Sequence, residues 1–256
     1  MIALIAATTL VVCAPGYPGT AGEAQPSMDA LARALAAEAK LPPSSLSAVY
    51  EETEAAGMRR LAQKDASLLL STLPFHLTHE QELGLVGRLS AVPRGGEALE
   101  RWTLVATKGH PASLEGYAVH STAGYSPKFV RAAAPSLPSD VQITAVNSVL
   151  TSLRRAANGE KIAVLLDGAQ AAALEKLPFA SSLEVVGMSP PMPVAIVATV
   201  GKRIDERRWK MLQPSFERLA NNPAAAEALE GVRMSAFVPL DQAALARARK
   251  AFRSAR

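Results

Sequence analysis

Aromatic side chains are scarce in this chain: Phe, Trp and Tyr make up 5% of its 256 residues, too few for a surface that stacks nucleobases. Cysteine is scarcer still. The single Cys13 can form no intrachain disulfide and has no second thiolate to share a metal with, so cysteine usage does not fix the compartment. Charge of one sign is also lacking. Lys and Arg number 27 against 23 Asp and Glu, a net +4, and they are scattered; Arg207, Arg208 and Lys210, and the tail Arg247, Arg249, Lys250, Arg253 and Arg256, read as solvated helix faces. Nucleic acid is therefore not expected as a partner. No Gly-x-Ser-x-Gly elbow is present, and Gly16-Tyr17-Pro18-Gly19-Thr20 has neither the glycine spacing of a dinucleotide fingerprint nor the Gly-Lys-Ser/Thr of a P-loop. Nucleotide binding has no support, and no cofactor is expected.

The first residues lack a positive charge as well. Met1 to Ala14 is apolar like the core of a secretory signal, yet no Lys or Arg precedes Arg33, and the run is too short to span a membrane. Leu10 to Ala14 reads as a buried first strand entering the turn Pro15-Gly16-Tyr17-Pro18-Gly19, with the residues ahead of it the stub of a leader.

What is present is a globular composition, 49% hydrophobic and 20% charged, in which apolar strand-like runs alternate with helical stretches. The alternation predicts an α/β fold around mainly parallel sheets. A helix is expected at Ser27 to Lys40, strands at Leu46 to Tyr50 and Ser67 to Ser71, and a helix between them at Glu54 to Gln63. Leu73-Pro74-Phe75-His76 is expected as a loop at a strand end, and Arg101 to Thr107 as a longer strand. Polar breaks near Lys108 to Ser113 and Gly187 to Pro193 divide the chain into a discontinuous first lobe, 1–108 with 190–256, and an inserted second lobe, 109–189. Two crossings between lobes imply a ligand cleft, since open α/β sheets bind beyond the carboxyl ends of their strands.

The richest loop is Ser121-Thr122-Ala123-Gly124-Tyr125-Ser126 before Pro127. Strand Tyr117 to His120 runs into it and a helix leaves it, so hydroxyls and the free N–H groups of a first helical turn stand together as a candidate anion cradle without a lysine. The plainer alternative is that Ser121 or Ser126 only caps the helix. Asp167, ending strand Ile162 to Leu166, reads equally as a ligand carboxylate and as the cap of a following helix. His76 and His79, three apart, lack an evident third ligand, so no metal site is expected. Trp102 and Trp209 read as core anchors.

In order along the chain, the segments VVCAPGYPGTAGEAQPSMDALARAL, SLLLSTLPFHL, SLEGYAVHSTAGYSP, IAVLLDGAQAAAL and LEVVGMSPPMP resemble the phosphate/phosphonate-binding family of periplasmic substrate-binding proteins, receptors of ABC importers with the two-lobed type II fold. The resemblance implies an oxyanion held by hydroxyls and backbone N–H groups on Ser121, Thr122, Gly124, Tyr125 and Ser126, an aromatic wall at Tyr17, and a carboxylate for a ligand amine at Asp167. Ala123 interrupts the usual serine and threonine cluster, and His120 and Tyr125 depart from the pattern. Pro74, Phe75 and His76 complete the candidate ligand-lining set. The expected function is capture of a small anion, phosphate or phosphonate-like, by a non-catalytic periplasmic monomer that docks on an ABC permease. Two alternatives stay open: a sensory or accessory binding protein without transport, and an enzyme on a related two-lobed fold.

Overall fold

The computed structural model describes residues 8–17 and 19–255. Of the leader stub read ahead of Leu10, residues 1–7 lie outside them, as do Pro18 of the first turn and Arg256 of the basic tail, whereas Thr8 and Thr9 belong to the first strand. In chain order the first elements are β1 (Thr8–Cys13), α1 (Ala21–Glu38), β2 (Leu46–Glu51), α2 (Glu54–Leu61), β3 (Ala66–Thr72), α3 (Leu73–Leu83), β4 (Leu85–Pro93) and β5 (Leu99–Glu100). There follow β6 (Thr103–Thr107), β7 (Ala118–Ser121), α4 (Pro127–Ala133), β8 (Gln142–Ala145), α5 (Val149–Ala157), β9 (Ile162–Leu166), α6 (Gly168–Leu174), β10 (Leu183–Met188) and β11 (Met192–Pro193). The chain continues through β12 (Ala195–Val200), α7 (Glu206–Arg218), α8 (Ala226–Gly231), β13 (Met234–Pro239) and α9 (Gln242–Ser254). Of the described residues, 8–14, 19–98 and 193–241 form one compact unit, and 15–17, 99–192 and 242–255 form a second.

The first unit is built on a sheet of order β13-β4-β12-β3-β1-β2. β1 pairs in parallel with β2 and β3, while β12 runs antiparallel between β3 and β4, and β13 antiparallel beside β4. Thus β1 to β4 point one way and β12 and β13 return against them. Every residue of β1 and β12 is buried, as central strands covered on both faces require. Met28, Leu31 and Leu35 of α1 close one face together with Trp209 and Phe216 of α7 and Phe237 of β13. Each such side chain contributes roughly 1.5–3 kcal/mol by leaving water.

Three local expectations change here. α1 begins at Ala21 rather than Ser27, because Thr20 and Glu23 form a reciprocal capping box that starts the helix ahead of Pro26. Leu73 to His76 is not a loop but the first turn of α3, where Pro74 is tolerated because early helical N–H groups have no intrahelical partner; Gly84, at φ 58°, ends the helix. β4 and β13 were not anticipated. β4 hides in the sequence behind Gly87 and Arg88, whose guanidinium lies 5.6 Å from the Trp209 ring and donates to Glu206.

The second unit has the order β10-β6-β9-β7-β8, with β7 parallel to β8 and β9 and with β6 antiparallel to β9 and β10. Val105, Val164 and Leu166 pack under Leu153 and Ala156 of α5. The indole of Trp102 meets the ring of Phe129 on α4 edge-on at 5.0 Å, and both residues are buried. α9 lies on α4, where the Lys128 ammonium sits 5.2 Å from the ring of Phe252.

Candidate functional site

Three turns of the second unit carry the polar residues, and each is shaped by a local requirement. After β1 the chain turns at Gly16, whose φ of 85° favours glycine and whose missing Cβ leaves room for the Thr122 carbonyl. This placement brings Tyr17 to Asp167. The Tyr17 hydroxyl donates to Asp167 Oδ2 at 2.7 Å.

The turn after β7 is organised by Ser121. Its hydroxyl donates to the Leu165 carbonyl at 2.9 Å and accepts the Ala123 N–H at 3.2 Å, and its own carbonyl accepts the N–H of Gly124 and of Val146. The Ser126 N–H donates to the Ala123 carbonyl. Gly124 has no side chain for a different reason than Gly16: a Cβ there would stand 2.5 Å from the backbone nitrogen of Ala145 on β8. Ser121, Thr122, Ala123 and Ser126 are all buried, and Tyr125 is half-buried. Several donors foreseen for an anion are therefore engaged within the turn itself.

The third turn joins β9 to α6. Asp167 caps α6, accepting the Gln170 N–H at 2.8 Å, while Gln170 Oε1 accepts the Asp167 N–H and completes a capping box. The Gln170 amide then donates to Thr122 Oγ1 at 3.4 Å, tying this turn to the one after β7. Next to Asp167, the Gly168 N–H donates to Glu100 Oε2 at 2.8 Å.

Electrostatics follow from this packing. Burial, and then the charge of Asp167, pushes the Glu100 carboxyl up to about 8, against the Gly168 N–H that favours its ionised form. Burial also raises Asp167, opposed by the donors from Gln170 and Tyr17. The Tyr17 phenol is pushed well above its usual value by burial and by Asp167 and Glu100 beside it, so it stays a neutral donor.

No protein-family model matches the sequence, and no curated protein matches it. Solved structures do. XAC2383 from Xanthomonas citri, bound to chloride ion, superposes with a TM-score of 0.74 at 14% identity, over 95% of this chain and 97% of that one; its complex with ATP gives 0.73 at 15% identity, over 96% and 98%. A binding protein component of an ABC phosphonate transporter from Pseudomonas aeruginosa gives 0.62 at 12% identity, over 95% and 85%. PhnD1 from Prochlorococcus marinus, in complex with methylphosphonate, gives 0.58 at 11% identity, over 96% and 97%. The chain has the type II periplasmic-binding-protein fold.

On this fold the candidates divide between the two units. The second unit gathers Tyr17, Ser121 to Ser126 and Asp167. Pro74, Phe75 and His76 belong to the first, buried on α3: Phe75 packs on the ring of His79 at 4.7 Å, and His76 Nε2 lies 3.3 Å from Glu80 Oε1. His79 meets Glu54 at 2.8 Å, and among the described residues no three His, Cys, Asp or Glu side chains are grouped to hold a metal ion. His120 faces α5, where its Nδ1 lies 2.8 Å from Ser152 Oγ; burial, and then Arg155, lowers its affinity for a proton. Histidine, serine and aspartate thus each have other partners than a hydrolase triad would use.

Two residues escaped the sequence reading. Gln170 carries a legible signal, since Asp167-Gly-Ala-Gln170 has the spacing of a capping box. Glu100 carries none. It stands on a strand of two residues, and only the fold brings it to Gly168.

Proposed function

We propose that this chain is a non-catalytic, extracytoplasmic solute-binding protein that captures a small phosphate- or phosphonate-like oxyanion and delivers it to an ABC permease, working as a monomer. The carrying observation is the convergence on one carboxylate: Asp167 takes the hydroxyl of Tyr17, caps α6, and through Gln170 reaches Thr122. Such a hydrogen-bonded set, assembled from distant turns beyond strand ends, is what a pre-formed polar ligand site requires. Thr122 Oγ1 accepts from Gln170, which leaves its hydroxyl proton for a ligand oxygen.

The fold supports the reading, and so do the phosphonate-transporter component and the methylphosphonate complex that share it. Among the described residues no helix is long and apolar enough to cross a membrane, which agrees with a receptor that meets its permease from outside the bilayer. Calorimetric titration of the folded chain with inorganic phosphate, methylphosphonate and small carboxylates tests the proposal. ATP belongs in the same series, because XAC2383 binds it. Saturable heat with an oxyanion is expected; a folded sample that gives no heat with any of these compounds rejects the reading.

A further inference from the structure

Glu100 accepts the N–H of Gly168, the residue that follows Asp167, and the hydrogen bonding of the two neighbouring carboxyls is unequal. Asp167 accepts from the Tyr17 hydroxyl and from the Gln170 N–H, which together stabilise a negative charge. Glu100 accepts one hydrogen bond, from Gly168 to Oε2. The titratable group that acts on Glu100 is Asp167, and the one that acts on Asp167 is the phenol of Tyr17, from the turn after β1, which itself lies near Tyr125 in the turn before α4; none of them is a cation. Where one buried carboxylate bears on another without a counter-cation, the two do not readily both ionise at neutral pH, and the less hydrogen-bonded one keeps its proton. A neutral carboxyl is a hydrogen-bond donor. The turn after β7 has use for one, because the Ser121 hydroxyl and the N–H groups of Ala123, Gly124 and Ser126 are already engaged within the protein.

We propose that Glu100 acts in its neutral form, donating its carboxyl proton to the ligand's oxyanion, and so determines that the second unit accepts an anionic rather than a cationic group. This rests on the solute-binding reading above. The burial and neighbouring charge that push Glu100 up to about 8 place its ionisation within an accessible pH range. One pH unit below that value the donor is present on about nine molecules in ten; above it a bound oxyanion increasingly faces a second negative charge.

The test compares the intact protein with Glu100→Gln, titrating both with methylphosphonate from about pH 6.5 to about pH 9. Glutamine keeps an acceptor for Gly168 and a neutral donor for the ligand. The ligand's own ionisation affects both proteins alike and cancels in the affinity ratio. One pH unit above its midpoint about a tenth of Glu100 stays protonated, so the ratio of wild-type to variant affinity is expected to fall about tenfold across the series. A flat ratio overturns the inference, and so does one that rises with pH, as a site for a cation would show; in both cases solute binding itself stands. Binding of methylphosphonate by neither protein at any pH removes the solute reading and this inference together. If Glu100→Gln does not fold, infrared titration of the wild-type protein decides: a carboxylic-acid C=O band at neutral pH that fades by about pH 9 is expected, and its absence overturns the proposal.

Discussion

A Cβ on Gly16 would stand 2.5 Å from the carbonyl oxygen of Thr122. The backbone at Gly16 is left-handed, with φ at 85°, so alanine there meets both a conformational penalty and a collision with main chain that has no rotamer to escape into. Gly16→Ala is expected to lower stability by about 2 kcal/mol or more and to displace the Tyr17 hydroxyl from Asp167. A denaturant-unfolding midpoint measures the first effect. The second is read by nuclear magnetic resonance as an upward move of the Asp167 titration, since the Tyr17 donor lowers it.

Ser121 and Thr122 are adjacent but have different duties. Ser121→Ala leaves the Leu165 carbonyl and the Ala123 N–H without their buried partner, and is expected to lower stability by about 1–3 kcal/mol. Thr122→Ala loses only a long contact from Gln170, so unfolding should shift by less than about 1 kcal/mol. Its effect belongs in ligand titration, where methylphosphonate affinity is expected to drop about tenfold, a loss comparable to one hydrogen bond. Equal effects of the two variants on stability would refute this division.

Asp65 supplies a pH signature in the first unit. It accepts from Arg60 Nη1 at 3.0 Å and from the hydroxyl of Thr9 on β1, and these donors, Arg60 foremost, hold its carboxyl well below the usual carboxylate range. The sign follows from linkage: a lowered folded value adds stability that is complete above the unfolded value, near 4, and is lost as pH falls below it. The side chain is 42% exposed, so solvent screening limits the contribution to about 1 kcal/mol. Asp65→Asn should therefore be less stable than wild type at neutral pH, and the two unfolding midpoints should draw together below about pH 4.

Cys13 is expected to be inert. Burial, and then Glu51 and Glu54, pushes its thiol far above the ordinary range, and no surface reaches it. Thiol reagents at neutral pH should leave the native protein unmodified and label it fully in denaturant. A Cβ at Gly57 would come within 2.4 Å of Cys13 Sγ, so Gly57→Ala should speed labelling by loosening α2 from β1.

The α/β class was legible because β1, β3, β9 and β12 are continuous apolar runs, which buried strands need and helices of that length do not show. Asp167 was legible as a helix cap for the same local reason that Thr20 should have been: both begin a four-residue capping box. The α3 boundary misled because Pro74 reads as a breaker although it is compatible with a first turn. The Tyr17 to Asp167 bond and the place of Glu100 lay beyond any local pattern. Pairings across such distances depend on strand order, which periodicity does not encode.

Strand order also bears on how the first unit assembles. β3 and β4 are separated in sequence only by α3, yet they never touch as neighbours, because β12 stands between them, setting Ala195 against both Thr72 and Ala91. Until Ala195–Val200 arrives, each presents a raw hydrogen-bonding edge, the kind of surface on which chains stick to one another. High contact order of this type slows folding more than it weakens the folded state. The segment to watch during refolding is therefore β12: substitutions that weaken its pairing should slow the refolding reaction, and a protein stalled before its insertion should be the species that aggregates.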